Sequence, residues 1–403
     1  MDSPGKHILI IIENLPAPFD RRVWQEACSL KKAGYAISII CPKTKNFNKK
    51  FEVIDGIYIY RHPLPIEANG ALGYVLEYSI ALFWEFYLSI KIFLIRGFDA
   101  IQACNPPDLI FLVGGMFKLF GKKFIFDQHD INPELWIAKG HGKDLFYKLL
   151  LFCERWTFKT ADISIATNLS YKEIAVTRGG KRPEDVFVVR SSPKADGIEK
   201  YMLSEPKEIL KNGKKFMVGY VGVMAKQDGL DYLLRAVDYI VNKKGRTDIF
   251  FVLIGKGPEW EELFEYAQNL GISDYVKFTG RIGDKEMIEY LSSCDVCVNP
   301  DEANEFNDKS TMNKIVEYML LGKPIVQFEM KEGRFSAQEA SVYAKPNDTV
   351  DFGEKILELL NDPGRRTKMG QYGINRVKKE LSWDNSEREL LKAYNYLFQT
   401  NQK

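Results

Sequence analysis

Glu305-Phe-Asn-Asp-Lys-Ser-Thr-Met-Asn-Lys-Ile-Val-Glu317-Tyr-Met-Leu-Leu-Gly322-Lys-Pro324 is the stretch from which the fold is read. The apolar run Val296-Cys-Val precedes it, ended by Asn299-Pro300, and Ile325-Val326 follows it. That order predicts strand, polar loop, helix, glycine stop and strand. The helix is expected to begin at Ser310 or Thr311, good N-cap types whose first-turn N–H groups would be open to an anion. Ile315, Met319 and Leu320 fall on one helical face and Glu317 on another. A carboxylate beside such a helix start suits sugar hydroxyls. The plainer reading is a solvated glutamate on a surface helix, and the local residues leave the two level.

The 403 residues are too many for one small core, and two domains are expected. Hydrophobic residues at 45% and charged ones at 27% are ordinary globular values. A net charge of +2 argues against a chain that wraps a polyanion, so no nucleic-acid partner is expected. Residues 1–198 hold 26 Lys and Arg against 21 Asp and Glu, which leaves the excess of positive charge in the first half. Cysteines at 28, 41, 104, 153, 294 and 297 follow no disulfide framework, which suits a reducing cytosol. Cys294-Asp-Val-Cys297 has no second pair or nearby His, so it reads as buried strand cysteine and not as a zinc or redox motif. Met1-Asp-Ser-Pro-Gly-Lys leads straight into a strand without a signal-peptide pattern, and a cytoplasmic location is expected.

From there the chain alternates strands with helices. His7–Ile12, a helix over Arg21–Lys32 capped by Asp20, and Ile37–Cys41 make one βαβ unit. Residues 74–95 are the most apolar stretch, but Glu77, Glu85 and Lys91 argue against a spanning helix. A buried domain helix is the first reading, and a helix lying in the membrane interface is its rival. Asn105-Pro-Pro-Asp108 offers an N-cap and Pro at a helix start. The strand Lys123–Phe126 runs into Asp127-Gln-His-Asp130, placing His129 and Asp130 where open α/β sheets bind ligands. Residues 191–214 are polar and turn-rich, and the pattern restarts at Phe216. The division expected is 1–190, a connection at 191–214, 215–384, and a terminal helix and tail at 385–403. The fold class is α/β, with two Rossmann-like domains.

Two such domains resemble the GT-B glycosyltransferases, and the motifs resemble the family 4 retaining enzymes. The segments that carry the resemblance are Pro18-Phe-Asp-Arg-Arg-Val-Trp-Gln-Glu-Ala, Asp127-Gln-His-Asp130, Gly219-Tyr-Val-Gly222, Phe251-Val-Leu-Ile-Gly-Lys-Gly-Pro258, Val276-Lys-Phe-Thr-Gly-Arg281 and Asn313 through Pro324. In order and spacing they run from about residue 7 to 398. The resemblance implies parallel sheets facing a central cleft and a C-terminal helix returning towards the first domain. It implies transfer of a sugar from a nucleotide-diphosphate donor, with retention and without a metal or other cofactor. It also implies a polysaccharide or lipid-linked acceptor at the inner face of the membrane, with peripheral membrane contact.

Residue by residue, the resemblance implies that Glu317 holds the donor ribose and that His129, with Asp130, acts at the transferred group. The family's sugar-reading Glu falls on Lys309, a cation that cannot accept from hydroxyls. Its usual loop Arg and Lys fall on Val223 and Asp228. Lys226, Lys309 and Arg334 are then the candidate phosphate cations, beside backbone N–H groups at Ser310, Thr311 and Met312. Gly222, Gly257 and Arg281 complete the donor side, while Arg21, Arg22 and Asn105 are candidates for acceptor or phosphate contact. Two other readings remain: a non-catalytic relative that binds nucleotide sugar or scaffolds a partner, and an enzyme such as a nucleotide-sugar epimerase. Four histidines make the epimerase less apt.

Overall fold

The computed structural model describes residues 5–63, 70–106, 108–193, 201–203 and 205–399. They form two compact units, residues 1–191 with 384–403, and residues 192–383. Part of the connection expected at 191–214 lies outside the described residues. Its described end packs with the second unit: the Lys207 N–H donates to Ser293 Oγ at 2.9 Å, and Lys211 is buried.

The first unit runs β1 His7–Ile11, α1 Arg21–Lys32, β2 Ala36–Pro42, β3 Phe51–Ile54, β4 Ile57–His62, α2 Gly70–Ile95, β5 Ala100–Cys104, α3 Phe111–Lys118, β6 Lys123–Gln128, α4 Asn132–Ala138, α5 Leu145–Thr160, β7 Ile163–Ala166, α6 Leu169–Thr177 and β8 Val186–Val188. Its sheet has the order β3-β4-β2-β1-β5-β6-β7-β8. All pairs are parallel except β3 with β4. Strand β1 is buried at every residue, which is why its sequence is an unbroken apolar run. The β3–β4 hairpin is absent from the sequence expectation. Its signal is Asp55-Gly56, whose positive φ values of 48° and 71° are those of a tight hairpin turn.

The second unit runs β9 Phe216–Val221, α7 Leu230–Asp238, β10 Ile249–Ile254, α8 Trp260–Asn269, β11 Val276–Gly280, α9 Asp284–Ser293, β12 Val296–Asn299, α10 Glu305–Lys309, α11 Asn313–Leu320, β13 Ile325–Phe328, α12 Lys331–Ala337, β14 Ser341–Ala344, α13 Thr349–Leu360 and α14 Pro363–Arg376. The last helix, α15 Trp383–Gln399, belongs from Asp384 onward to the first unit. The second sheet is wholly parallel in the order β11-β10-β9-β12-β13-β14. Strand order reverses around β1 in one unit and around β9 in the other. Open α/β sheets bind ligands at such switch points, beyond the carboxyl ends of the strands.

Three local expectations are corrected here. The helix expected from Ser310 or Thr311 is two helices, because Asn304 caps a short one at Glu305–Lys309 and Ser310 closes it by donating Oγ–H to Phe306 O at 2.7 Å. Helix α11 then starts at Asn313 without a side-chain cap. Asn105 is not a helix cap, because its side chain is committed to the loop after β6, and Pro107 lies outside the described residues. Cys294 sits at the C-terminal end of α9 and only Cys297 is on a strand, and both are buried free thiols. Among the described residues no helix is long and apolar enough to cross a membrane.

Candidate active site

In the first unit the site is built around one buried arginine. Arg22 lies in the first turn of α1, whose N-cap Asp20 accepts from the Val23 N–H at 2.9 Å. Its guanidinium makes four hydrogen bonds and one further ion pair. Nε donates to His129 Nε2 at 3.0 Å, and one terminal nitrogen to Val189 O at 2.7 Å and Ser191 Oγ at 3.3 Å. The other terminal nitrogen reaches Asp127 at 2.9 Å and Glu26 at 3.0 Å. A guanidinium so committed positions its neighbours. Arg22, a candidate for acceptor or phosphate contact, is buried and holds Asp127 and His129 within the first unit. Arg21, next to it, is exposed.

Around Arg22 the charges are unequal. Burial alone would raise the Asp127 carboxyl, but Arg22 and then His129 hold it well below the usual range. Burial pushes Glu26 up to about 8 against the pull of Arg22. Burial works against a proton on His129, yet Asp127 at 3.0 Å outweighs it and raises the imidazole. A single nitrogen, Nε2, thus meets two partners with opposite demands. It accepts from Arg22 when neutral and donates to Asp127 when protonated, so each proton state of His129 has a partner in place. Gln102 donates to both Glu26 at 2.6 Å and Asp127 at 2.9 Å, and Tyr394 of α15 donates to Gln102 at 2.5 Å. Cys104, Asp127 and His129 have ligand-type atoms within 4.8 Å of one another. Arg22 contacts two of the three, Asp127 and His129.

Asn105 fixes the loop that carries His129 and Asp130. Its side-chain oxygen accepts from the backbone N–H of His129 at 2.7 Å and of Asp130 at 3.2 Å. Its amide donates to Asp130 O at 2.7 Å and Asp108 at 2.9 Å. Burial raises the Asp130 carboxyl. The structure therefore brings His129, Asp130, Asn105 and Arg22 together.

In the second unit three loops meet at the switch point. A Cβ on Gly255 would stand 1.9 Å from Gly222 O, and one on Gly229 would stand 2.1 Å from Pro300 O. Only glycine allows backbones to approach so closely. Gly257 packs in the same way on the Met224 backbone. Tyr318 of α11 ties the two central strands together: its hydroxyl accepts from Val221 N–H at 2.9 Å and donates to Val298 O at 3.3 Å.

Beneath this corner lies an ion cluster that the sequence reading missed. Lys314, buried in the first turn of α11, donates to Asp301 at 2.7 Å, stands 3.8 Å from Asp228 and lies 4.8 Å from the centre of the Tyr220 ring. Burial opposes its charge, but Asp301 and then Asp228 hold the ammonium above its ordinary value. Burial pushes Asp228 up to about 6, with Lys314 opposing and Asp301 adding to the rise. Where the resemblance leads one to expect a cation, Asp228 stands, and the cation arrives from Lys314 instead. The signal was present in the sequence as an acid where a base was expected, with a lysine three residues before Glu317.

Glu317 is half-buried on α11 between Lys314 and Tyr318, and Thr311 and Met312 lie just before that helix. Lys226 and Arg281 are exposed. Lys309 pairs with exposed Glu305 at 2.7 Å, and Arg334 with Glu329 at 2.7 Å on α12. The structure gathers Gly222, Gly257 and Glu317 at or beside the switch point. Arg334, held by Glu329 and lying 4.1 Å from the centre of the Tyr343 ring, is engaged at β14 and not in that gathering.

Residues 215–362 match the family model described as "Glycosyl transferases group 1". The chain is 21% identical over 397 residues to chitobiosyldiphosphodolichol beta-mannosyltransferase of Debaryomyces hansenii, covering 90% of this chain and 83% of that one. It is 28% identical over 186 residues to a GDP-mannose-dependent alpha-mannosyltransferase of Corynebacterium glutamicum, 45% of this chain and 40% of that one. Sucrose-phosphate synthase of Thermosynechococcus elongatus superposes with a TM-score of 0.77 at 17% identity, covering 98% and 100% of the two chains, a likeness of fold. Fold and site define the class, a GT-B glycosyltransferase that draws on nucleotide-sugar donors. Within that class the match over residues 215–362 and these relatives support a likeness to the family 4 glycosyltransferases.

Proposed function

We propose that this enzyme transfers a sugar from a nucleoside-diphosphate sugar to a lipid-linked or polysaccharide acceptor at the inner face of a membrane. The transfer retains the anomeric configuration and needs no metal. The observation that carries the donor side is the β9 switch point, where glycine loops and the Glu317 helix converge inside the residues matched by the family model. Glu317 takes the ribose hydroxyls. Lys226, Lys309 and the backbone N–H groups before α11 offset the diphosphate charge. His129, poised between Arg22 and Asp127, orients or protonates at the transferred group, and Asp130 sits beside it. The dolichol-linked substrate in the name of the Debaryomyces hansenii relative supports a lipid-linked acceptor.

The test is incubation with a panel of UDP-, GDP- and other nucleotide sugars, with and without lipid-linked oligosaccharide. The expected outcome is slow nucleotide release with one donor, accelerated by acceptor, and a product whose anomeric proton coupling matches that of the donor. A product of opposite configuration removes the retaining mechanism. Ligand-induced melting shifts without turnover, even with acceptor extracts, would favour a protein that only binds nucleotide sugar.

A further inference from the structure

Helix α5 is apolar on two sides. One side buries Leu150, Cys153, Thr157 and Phe158 in the first unit. The other presents Leu145, Leu149, Phe152 and Trp156, at 83%, 45%, 54% and 39% exposure. The spacing i, i+4, i+7, i+11 makes them a stripe along the helix. Helix α2 repeats the same spacing with Phe83, Tyr87, Ile90 and Leu94, again all exposed. Helix α3 joins the two: Phe111 stacks on Trp156 at 6.4 Å, while Phe117 and Phe120 pack on Phe93 of α2 at 5.4 and 5.9 Å. Leu112, Leu119 and Phe120 continue the exposed apolar surface. Single exposed apolar residues are common, but stripes on three touching helices are not.

The charges on the same segments have one sign. Lys91, Arg96, Lys148, Arg155 and Lys159 are exposed, and Lys122 lies over the Phe93 ring at 5.4 Å. The carboxylates within residues 83–96, 111–123 and 145–160 are Glu85 and Glu154, and both are buried. Glu154 pairs with Arg178 at 2.6 Å. The exposed carboxylate next to the stripe is Asp144, the N-cap of α5, which accepts from the Tyr147 N–H at 2.9 Å. Apolar side chains flanked mainly by cations match an anionic bilayer surface. A second copy of this chain would meet the face with its own positive charge. We infer that α2, α3 and α5 form a membrane-docking face that seats the first unit on anionic lipid. The inference gives a location to the membrane contact of the proposed function and rests on that reading for its setting. Vesicle binding and sugar transfer are measured separately, so either can fail alone.

The experiment is flotation of the full chain with vesicles of phosphatidylcholine alone or containing about one-third phosphatidylglycerol. Wild type is expected to float with the anionic vesicles and to be released by salt. Lys148→Gln with Arg155→Gln should weaken partitioning about 25-fold, near fivefold for each charge. Leu149→Glu with Phe152→Glu should abolish it while the melting temperature stays within a few degrees. Wild type that never floats, equal binding to neutral vesicles, or variants that bind like wild type would overturn the inference. So would a wild-type dimer in sedimentation velocity that the Leu149→Glu, Phe152→Glu variant splits without any vesicle binding.

Discussion

Lys314 shows how one side chain alters the meaning of its neighbours. Asp228 and Asp301 are tolerable in the interior because the ammonium lies 3.8 and 2.7 Å away. Lys314→Met leaves buried Asp301 and half-buried Asp228 without that cation, a loss of about 3–5 kcal/mol at neutral pH. The deficit should narrow on acidification, because protonated carboxyls need no counter-charge, and urea unfolding at two pH values checks this. Glu317→Ala is expected to leave the fold intact and weaken nucleotide binding by about 1.5–3 kcal/mol, some ten- to hundredfold by calorimetry. Unchanged affinity would remove Glu317 from the site. For His129→Ala, turnover should fall more than affinity, since its value lies in placing a proton; equal losses in kcat/KM and KM would argue against that role.

Helix α2 poses an element-scale question, because it buries Glu85 with neither oxygen hydrogen-bonded among the described residues. Burial pushes this carboxyl up to about 8 from its ordinary 4.5. The folded state therefore holds a proton that the unfolded chain has released. Stability from this group is complete below the unfolded pKa and is lost as pH rises from there through about 8. Glu85→Gln, which cannot ionise, should raise stability by about 4 kcal/mol near pH 8 and have little effect near pH 4.5. Thermal melts of both proteins across that range decide it, and a constant offset would show that Glu85 has a partner.

At the scale of the whole molecule, the chain returns to its first unit after completing its second. Helix α15 buries Leu390, Tyr394 and Leu397 there, and Tyr394 closes the Gln102–Asp127 network from outside the sheet. Burying three such side chains contributes about 5–9 kcal/mol, comparable with the entire stability of a domain. Ending the chain at residue 383 should therefore unfold the first unit and spare the second. Limited proteolysis would then leave a protected fragment close to residues 192–383. Protection of both halves would show that α15 is dispensable.

The sequence alone determined the order of strands and helices, the two Rossmann-like units and the stretch that carries Glu317. Those features are written in local periodicity, and parallel strands buried on both faces leave unbroken apolar runs. The Asp55-Gly56 hairpin was legible by the same rule and went unread. The sequence also placed His129, Asp130, Asn105 and Arg22 on the candidate list, but it could not assign their parts. That Arg22 holds a network and Asn105 a loop depends on partners such as Asp127, 105 residues away from Arg22, and Val189, 167 away. Lys314 and the α5 stripe were hidden for the converse reason. A lysine at a helix start and leucines at helical spacing look alike whether they face water, a carboxylate or the core, and only tertiary packing decides which.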